Sequence, residues 1–250
     1  GVNGTVNAVA VQPDGKVIIG GQFTTVKGLA RMGVARLNAD GSGDATFDAG
    51  TGIGGYVSAV ALQSDGKMVV LWNNGYSVTR LNSDGRFDSS FNLYAVGGDY
   101  AITESLAVQP DGKVLLGGYT VTETINPEGY IDYSFGPFVT RVHTNGSHDT
   151  SFISAVNFDG VLSVALQPDG KVLIGGLFST VNGTNVQYGI ARLNANGSLD
   201  SSFNPGASGL AYSVVVQSDG RVLLGGPAIG NGTNRNAIAR LNANGSLDGS

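Results

Sequence analysis

The sequence contains no cysteine and few charged residues, and both absences exclude classes of protein. With no Cys among 250 residues, neither disulfide bonds nor thiol catalysis are available. Charged residues make up 13% of the chain, and the formal net charge is −5. No stripe or run of Lys and Arg appears, so the electrostatic footprint of nucleic-acid binding is missing. No apolar run reaches membrane-spanning length. We therefore expect no nucleic-acid partner and no membrane insertion.

Apolar residues also show no convincing helical period, whereas turn-forming residues are abundant. Glycine accounts for 40 of the 250 residues. A phrase of the form Gln-Pro/Ser-Asp-Gly-Lys/Arg occurs five times, at 12–16, 63–67, 109–113, 167–171 and 217–221. Its period of roughly 50 residues is typical of repeat architectures. Pro presets φ, Asp bonds its own backbone and Gly accepts a left-handed conformation, so the phrase predicts a tight turn between antiparallel strands.

Short apolar runs rich in β-branched residues flank every copy of this turn, as in Val9-Ala10-Val11 and Val17-Ile18-Ile19. In the first strand, large residues alternate with small ones such as Ala10 and Ala165, with Val215 as the exception. Because successive side chains point to opposite faces of a strand, each sheet has a bulky face and a thin face. Sheets of this kind stack well when the bulky face of one meets the thin face of the next.

This stacking predicts an all-β protein, a β-propeller of five blades with three to four antiparallel strands each. A third strand of the type Ile-Ala-Arg-Leu-Asn and a short fourth strand near an Asp and a Phe complete the expected blade. The blades span approximately 1–50, 51–97, 98–155, 156–205 and 206–250 of a single domain, residues 1–250. The chain begins at Gly1 without Met, and we expect a processed protein or a segment of a longer repeat array.

The chain resembles the delta-60 repeat in a joint pattern of two phrases. They are Val-Ala-x-Gln-Pro-Asp-Gly-Lys-Val-Leu-Ile-Gly-Gly and Ile-Ala-Arg-Leu-Asn-Ala-Asn-Gly-Ser-Leu-Asp-Ser-Ser-Phe. The resemblance covers all five repeats. It implies a β-propeller-type domain of large, secreted bacterial or phage surface proteins, and it implies no catalytic residues. The Gly-Gly that ends the second strand also resembles kelch blades, although the later Trp of a kelch repeat is missing, since Trp72 is the single Trp.

Candidate binding residues are sought where the repeat symmetry breaks. The loops after the second strand vary most and are expected to share one face. Aromatic residues with Asn, Thr and Gly nearby suit glycan or protein recognition. The predicted ligand-binding residues are Trp72, Tyr76, Tyr119, Tyr130, Tyr133 and Tyr188. The alternative is that these rings only cover the core.

Other recurring polar residues favour structural roles. The Asn-x-Asp/Asn-Gly turns, such as 194–197, resemble an incomplete calcium loop, but they are also strong hairpin turns, and no metal or cofactor is expected. The repeated Arg36, Arg80, Arg141, Arg192 and Arg240 would each make a bidentate bridge to a repeat Asp. A ring of these arginines around an axis, binding an anion, is the alternative.

Carboxylates and histidines of the third blade complete the candidates. Glu104, Glu123, Glu128 and Asp132 would supply a pair for glycoside hydrolysis, although their spacing does not require it. The last three lie in a polar insertion, 120–137, typical of a solvated loop. His143 and His148 are interpreted as repeat drift.

The sequence favours a non-enzymatic module of an extracellular, cell-surface or virion-surface assembly. Its variable-loop face would bind a glycan or a surface protein. One alternative is a structural or filament-forming subunit or spacer that assembles with itself or a neighbouring domain through an open edge of blade five. Another is a carbohydrate-active propeller enzyme.

Overall fold

The computed structural model describes residues 1–93, 101–186, 189–205, 209–227 and 237–249. These residues form strands, turns and irregular segments, without a helix. No helix long and apolar enough to cross a bilayer occurs in the described part of the chain. The chain divides into two compact units. Unit 1 is Gly1–Tyr94, Pro110–Gly112 and Thr144–Ser147, and unit 2 is Ala95–Gln109, Lys113–His143 and His148–Ser250.

Unit 1 contains the strands of blades one and two. Its strands are β1 (Thr5–Val11), β2 (Val17–Gln22), β3 (Thr25–Val26), β4 (Leu29–Ala30), β5 (Val34–Leu37), β6 (Val57–Leu62), β7 (Met68–Trp72) and β8 (Ser77–Leu81). Blade one is an antiparallel sheet in the order β1-β2-β5, and blade two has the order β6-β7-β8. Strands β3 and β4 pair as a small separate hairpin after β2.

Unit 2 contains the strands of blades three to five. Its strands are β9 (Ala101–Val108), β10 (Val114–Ile125), β11 (Ile131–Val142), β12 (Val156–Leu166), β13 (Val172–Val181), β14 (Thr184–Asn185), β15 (Ile190–Leu193), β16 (Ser213–Val216), β17 (Val222–Gly226) and β18 (Ala237–Leu241). The sheet of blade three has the order β11-β10-β9, and that of blade five β16-β17-β18. In blade four, β12, β14 and β15 all pair with β13.

The predicted turn joins the first two strands of each blade. In blade one, Gln12 N donates to Lys16 O across 2.8 Å and Gly15 N donates to Gln12 O across 2.9 Å. Asp14 Oδ1 accepts a hydrogen bond from Lys16 N, and Gly15 has a φ of 81°. This confirms the mechanism inferred from the residue types, because only the Gly adopts the left-handed conformation.

The expected fourth strand is reduced to one bridge and a turn. In blade four, Leu193 and Leu199 form an isolated bridge, and Phe203 N then donates to Asp200 O. The equivalent bridge follows the third strand in all five blades. Each blade therefore has three regular strands along its main path.

Small residues let neighbouring sheets approach, as the alternation predicts. Within unit 2, Ala165 of blade four packs in one apolar cluster with Val214 and Val216 of blade five. Within unit 1, Ala10 of blade one packs in a cluster with Val60 and Leu62 of blade two. Each fully buried Val or Leu side chain contributes about 1.5–3 kcal/mol of transfer free energy, so these clusters hold the stacked sheets together.

One segment differs from its expected form. The insertion 120–137 of blade three, predicted as a solvated loop, continues the ladder between β10 and β11 from Val114↔Val142 to Ile125↔Ile131 without a register shift. The strand period of two runs through it unbroken, so the insertion is an extension of the second and third strands.

Candidate functional site

The repeated arginine binds an aspartate of its own blade. In blade four, Arg192 Nε donates to Asp200 Oδ2 across 2.8 Å and Arg192 Nη2 donates to Ser202 Oγ across 3.2 Å. Lys171, the last residue of the turn phrase, donates to the same Asp200 Oδ2 across 2.7 Å. The guanidinium carbon lies 4.8 Å from the centre of the Phe203 ring. Arg192 Nη1 donates to Ala243 O of blade five across 2.6 Å, so each of the three guanidinium nitrogens has a partner inside the protein.

The same arrangement recurs in three other blades. It comprises Arg36, Asp44, Lys16 and Phe47; Arg80, Asp88, Lys67 and Phe91; and Arg141, Asp149, Lys113 and Phe152. The expected bidentate bridge is wrong, because only Nε contacts the carboxylate while Nη2 bonds a Ser or Thr hydroxyl. In blade five, Arg240 Nε lies 2.7 Å from Asp248 Oδ2. These arginines are tied to aspartates, which argues against a ring of anion-binding arginines.

The aspartates of these pairs in blades one to four are strongly acidic. Burial alone would raise the pKa of the Asp200 carboxyl, but hydrogen bonds from Lys171, Ser202 and Arg192 outweigh burial and hold that pKa well below its ordinary value of 3.8. The folded protein therefore favours the charged form of the Asp200 carboxyl.

The Asn/Asp-Gly turns close on themselves. Asn196 Oδ1 accepts hydrogen bonds from Ser198 N at 3.0 Å and Ser198 Oγ at 2.7 Å, and Asn194 Nδ2 donates to Ser198 Oγ. The side-chain oxygens that would ligate calcium accept hydrogen bonds within these turns. Across the described residues, no group of three or more His, Cys, Asp and Glu side chains is placed to hold a metal.

The histidines have local partners. His143 Nε2 lies 3.9 Å from Asp149 Oδ1, and His148 Nδ1 lies 3.4 Å from Thr140 Oγ1.

The predicted aromatic residues fall in different places. Trp72 ends β7 in unit 1, half-buried against the apolar cluster of blades one and two, and Tyr76 follows it with an exposed side chain. In unit 2, Tyr119 lies half-buried on β10, whereas Tyr130 and Tyr133 are exposed on the β10–β11 hairpin. Tyr188 lies outside the described residues.

The extended β10–β11 hairpin is amphipathic. Cross-strand partners share a face of an antiparallel pair, and the register pairs Ile125 with Ile131, Val121 with Phe135 and Tyr119 with Pro137. Within the extension 120–137, the opposite face carries only small or polar residues, namely Thr120, Thr122, Thr124, Asp132, Ser134 and Gly136. We call the first set, which also contains Glu123 and Tyr133, the apolar hairpin face. Its side chains reach solvent, and Ile125 is 78% exposed.

A pocket of about 370 Å³ lies at the base of this face. Its lining consists of Glu104, Tyr119, Phe135, Asp159, Leu162 and Leu177. The rings of Tyr119 and Phe135 meet edge to face, with centroids 5.8 Å apart. Surrounding protein atoms desolvate the Glu104 carboxyl and raise its pKa. The pocket therefore offers apolar walls, an aromatic edge and two carboxyl groups.

Sequence reasoning found part of this site. It selected Tyr119 and Tyr133, but not Ile125, Ile131 or Phe135. The signal that would have revealed them is the alternation Ile131-Asp-Tyr133-Ser-Phe135, a strand with one apolar face. Of the four carboxylates considered for hydrolysis, Glu104 lines the pocket, whereas Glu123, Glu128 and Asp132 are exposed on the hairpin.

A family model and several solved structures resemble the chain. The model described as domain of unknown function (DUF5122) beta-propeller matches residues 12–47, 63–91, 109–152, 167–203 and 217–250. A comparison with curated proteins found no match.

Three solved structures share the fold at low identity. A gluconolactonase from Xanthomonas campestris is 16% identical with a TM-score of 0.50, covering 93% of this chain and 70% of its own. A chain of the nidogen/laminin complex is 12% identical with a TM-score of 0.54, covering 95% and 76%. PorZ, a surface component of the type-IX secretion system of Porphyromonas gingivalis, is 12% identical with a TM-score of 0.51, covering 97% and 33%. At these identities the likeness concerns the fold alone.

Proposed function

The chain belongs to the β-propeller family described as domain of unknown function DUF5122, and from this premise we propose that it is a non-enzymatic binding module of an extracellular surface assembly. The extracellular setting is supported by the resemblance of the repeats to the delta-60 repeat of secreted surface proteins. The binding role is supported by the apolar hairpin face, and that face is the observation on which the proposal rests.

An exposed apolar hairpin face is unusual in a folded protein unless it binds something. Ile125, Ile131, Tyr133 and Phe135 are all exposed and occupy one side of two paired strands. Contiguous apolar surface of this kind marks interaction sites, and its removal from water contributes to binding in proportion to its area.

A protein segment suits this face better than a glycan. Sugars are bound by planar aromatic rings and hydrogen bonds, which Ile125 and Ile131 do not provide. Isoleucine side chains gain most from contact with apolar side chains of a partner. We therefore propose that an apolar segment of a surface protein lies along the hairpin and places one side chain in the pocket beside Tyr119.

A peptide library displayed on phage tests this proposal. Peptides selected on the immobilised chain would be measured by fluorescence anisotropy against Ile131→Ser/Tyr133→Ser. The matched control is Thr122→Ser/Ser134→Thr on the polar face. We expect the selected peptides to bind the apolar double variant about tenfold more weakly, which corresponds to a loss of about 1.4 kcal/mol in binding free energy. The control variant should bind them as the unaltered chain does. Equal binding by all three, or binding to a glycan array with no selected peptide, would contradict the protein partner.

The pocket supports a second candidate, a carbohydrate-active enzyme. A general acid needs a raised pKa, and Glu104 has one, with Asp159 lining the same pocket. Hydrolysis of a panel of chromogenic glycosides and aldonolactones, lost in Glu104→Gln and kept in Glu128→Gln, would favour this function over the binding module.

A further inference from the structure

The pocket at the base of the apolar hairpin face contains two carboxyl groups from residues that the strand ladders leave out. In β9 the register with β10 skips Glu104, and in β12 the register with β13 skips Asp159. An extra residue of this kind has no partner in the ladder, and the bulge re-aims its side chain. Both residues line the pocket and are open to solvent, so a binding partner can reach them.

The charge of Glu104 breaks the symmetry of the repeat. In blades one to four, the ladder skips the residue five positions before the repeat Gln, namely Asn7, Ser58, Glu104 and Leu162. The bulge therefore belongs to the fold, whereas the carboxyl belongs to blade three alone among these four. In unit 1, Asn7 Nδ2 donates to Val57 O across 3.1 Å, and Ser58 Oγ donates to Leu71 O across 3.4 Å. These two polar side chains are thus bound within the protein.

The pocket carboxyls have no such partner in the described part of the chain. Among the described residues, no hydrogen bond or ion pair reaches Glu104 or Asp159. Burial is the cause that raises the pKa of Glu104, and no cation acts against it. The cationic residues in the described part of unit 2 pair with aspartates of their own blades; they are Lys113, Arg141, Lys171, Arg192, Arg221 and Arg240. The described residues therefore leave the negative charge of the pocket without a counter-charge.

The hairpin above the pocket adds charge of the same sign. Residues 114–140 contain three carboxylates and no Lys or Arg. One of the three, Glu123, lies on the apolar hairpin face opposite Tyr133. A partner segment along this face would therefore meet apolar and acidic side chains together, and charge complementarity favours a segment that is basic.

The pocket suits a long side chain with a positive end. Its walls are two leucine side chains and the rings of Tyr119 and Phe135. An apolar side chain between these walls would remove water from the two carboxyls and return no hydrogen bond, which costs free energy. A Lys or Arg side chain packs its methylene groups on apolar walls and brings charged N–H donors to the carboxyls.

On the basis of the protein-binding function proposed above, we propose that the pocket selects a Lys or Arg side chain of the partner segment. Glu104 and Asp159 accept hydrogen bonds from its charged end, while Ile131 and Tyr133 contact apolar residues beside it. The preferred segment is therefore a basic residue flanked by apolar residues. Because salt screens a partly buried ion pair less than an exposed one, this contact discriminates between partners.

Matched peptides test this selectivity. A selected peptide that contains Lys would be compared with the same peptide carrying norleucine, which keeps the methylene chain and lacks the charge. Both would be measured by fluorescence anisotropy against the unaltered chain and against Glu104→Gln/Asp159→Asn. We expect the basic peptide to bind this pocket variant at least about tenfold more weakly than the unaltered chain. The norleucine peptide should bind both chains alike.

The matched control is Glu128→Gln/Asp132→Asn, which removes the same charge from the hairpin outside the pocket. It should bind the basic peptide as the unaltered chain does. Equal weakening by the control and the pocket variant would show a general attraction between charges and would overturn the proposal.

The selection also separates this inference from the binding function on which it rests. If the selected peptides lose affinity for Ile131→Ser/Tyr133→Ser but are not enriched in Lys or Arg, the basic side chain is wrong and the binding function stands. If no peptide is selected, both are wrong.

A small probe tests the pocket without a partner segment. Amide chemical shifts of the isotope-labelled chain would be followed by NMR during titration with butylguanidinium and with butylurea, a neutral molecule of similar shape. We expect butylguanidinium to shift the signals of Glu104, Tyr119 and Asp159 in the unaltered chain but not in the pocket variant, and butylurea to shift them much less. Equal shifts by the two probes, no shift by either, or shifts by butylguanidinium that persist in the pocket variant would overturn the proposal.

Discussion

Arg192 and Asp200 are buried partners, joined by a hydrogen bond of 2.8 Å from the guanidinium Nε to the carboxylate Oδ2. Lys171 Nζ donates to the same oxygen across 2.7 Å, so one carboxylate faces two cations. A buried ion pair of this kind adds little net stability compared with apolar packing, but the loss of one partner leaves a charge uncompensated. The triad therefore fixes the geometry of the blade more than it adds to the free energy of folding.

Asp200→Ala should destabilise the protein strongly. It leaves the Arg192 guanidinium buried without its carboxylate, which costs about 3–5 kcal/mol in comparable cases. Urea unfolding followed by circular dichroism measures the change in the free energy of unfolding. Glu123→Ala on the exposed hairpin is the control, expected within about 0.5 kcal/mol of the unaltered chain. Similar losses for both variants would show that the triad has no special role.

Stability should fall steeply in acid. The carboxyls of Asp44, Asp88, Asp149 and Asp200 have pKa values well below 3.8, because hydrogen bonds from Lys, Ser or Thr and Arg outweigh the opposing effect of burial. A folded-state pKa below the unfolded value stabilises the protein above the unfolded pKa. That stability is lost as the pH falls below about 5 towards the folded-state values, since the unfolded chain binds protons first.

The pH dependence can be assigned to these groups by substitution. The free energy of unfolding would be measured in urea at several pH values between neutrality and pH 3. Asp200→Asn removes one titrating group, so its free energy of unfolding should decline less steeply with falling pH than that of the unaltered chain. Parallel profiles would indicate that other carboxyls control acid unfolding.

The fold could be predicted from local patterns, but the hydrogen bonds between blades could not. The turn at Gly15 and the alternation around Ala165 are set by neighbours in sequence, so residue types sufficed. The contact between Arg192 and Ala243 O joins two blades through a backbone carbonyl that any residue type provides. No pattern of side chains identifies a backbone carbonyl as an acceptor. The expected bidentate bridge to Asp would have required the Nη donors, which include the donor of this hydrogen bond between blades.

The candidate site was found only in part for a similar reason. The residues 120–137 contain Thr, Glu, Asn and Gly, a composition typical of a loop. For the prediction of a loop, this composition outweighed the alternation of apolar and polar residues around Ile131 and Phe135, which indicates a strand. The pocket also requires Asp159 and Leu162 from β12, which follow Tyr119 by about forty residues along the printed sequence. Their proximity depends on how blade four packs on blade three.

Gly175→Ala should destabilise blade four through a steric clash with blade five. Sequence reasoning treated the Gly-Gly pair only as a mark of the repeat. A Cβ atom on Gly175 would lie 2.6 Å from a Val214 methyl group and 2.7 Å from Ala211 O. We expect a loss of about 1–3 kcal/mol, typical of overpacking in a core.

The control for this variant is Gly54→Ala, also measured by urea unfolding. The nearest atom to a Cβ on Gly54 is a Trp72 ring carbon at 3.4 Å, an ordinary contact. If Gly54→Ala and Gly175→Ala cost the same, the close approach of blades four and five would not be the reason for the glycine.

Arg192→Lys should be costly, although it conserves the charge. The guanidinium directs Nε to Asp200, Nη1 to Ala243 O and Nη2 to Ser202 Oγ at the same time. A lysine ammonium cannot reach three fixed partners from one nitrogen, so the hydrogen bond to Ala243 O of blade five loses its donor. We expect a loss of about 1.5–3 kcal/mol in the free energy of unfolding, the range for a hydrogen bond to a charged group. Arg86→Lys is the control, because the Arg86 side chain is 82% exposed and its Nε lies 3.8 Å from Asp84 Oδ2. Equal losses for the two variants would show that the buried contacts of Arg192 do not require a guanidinium.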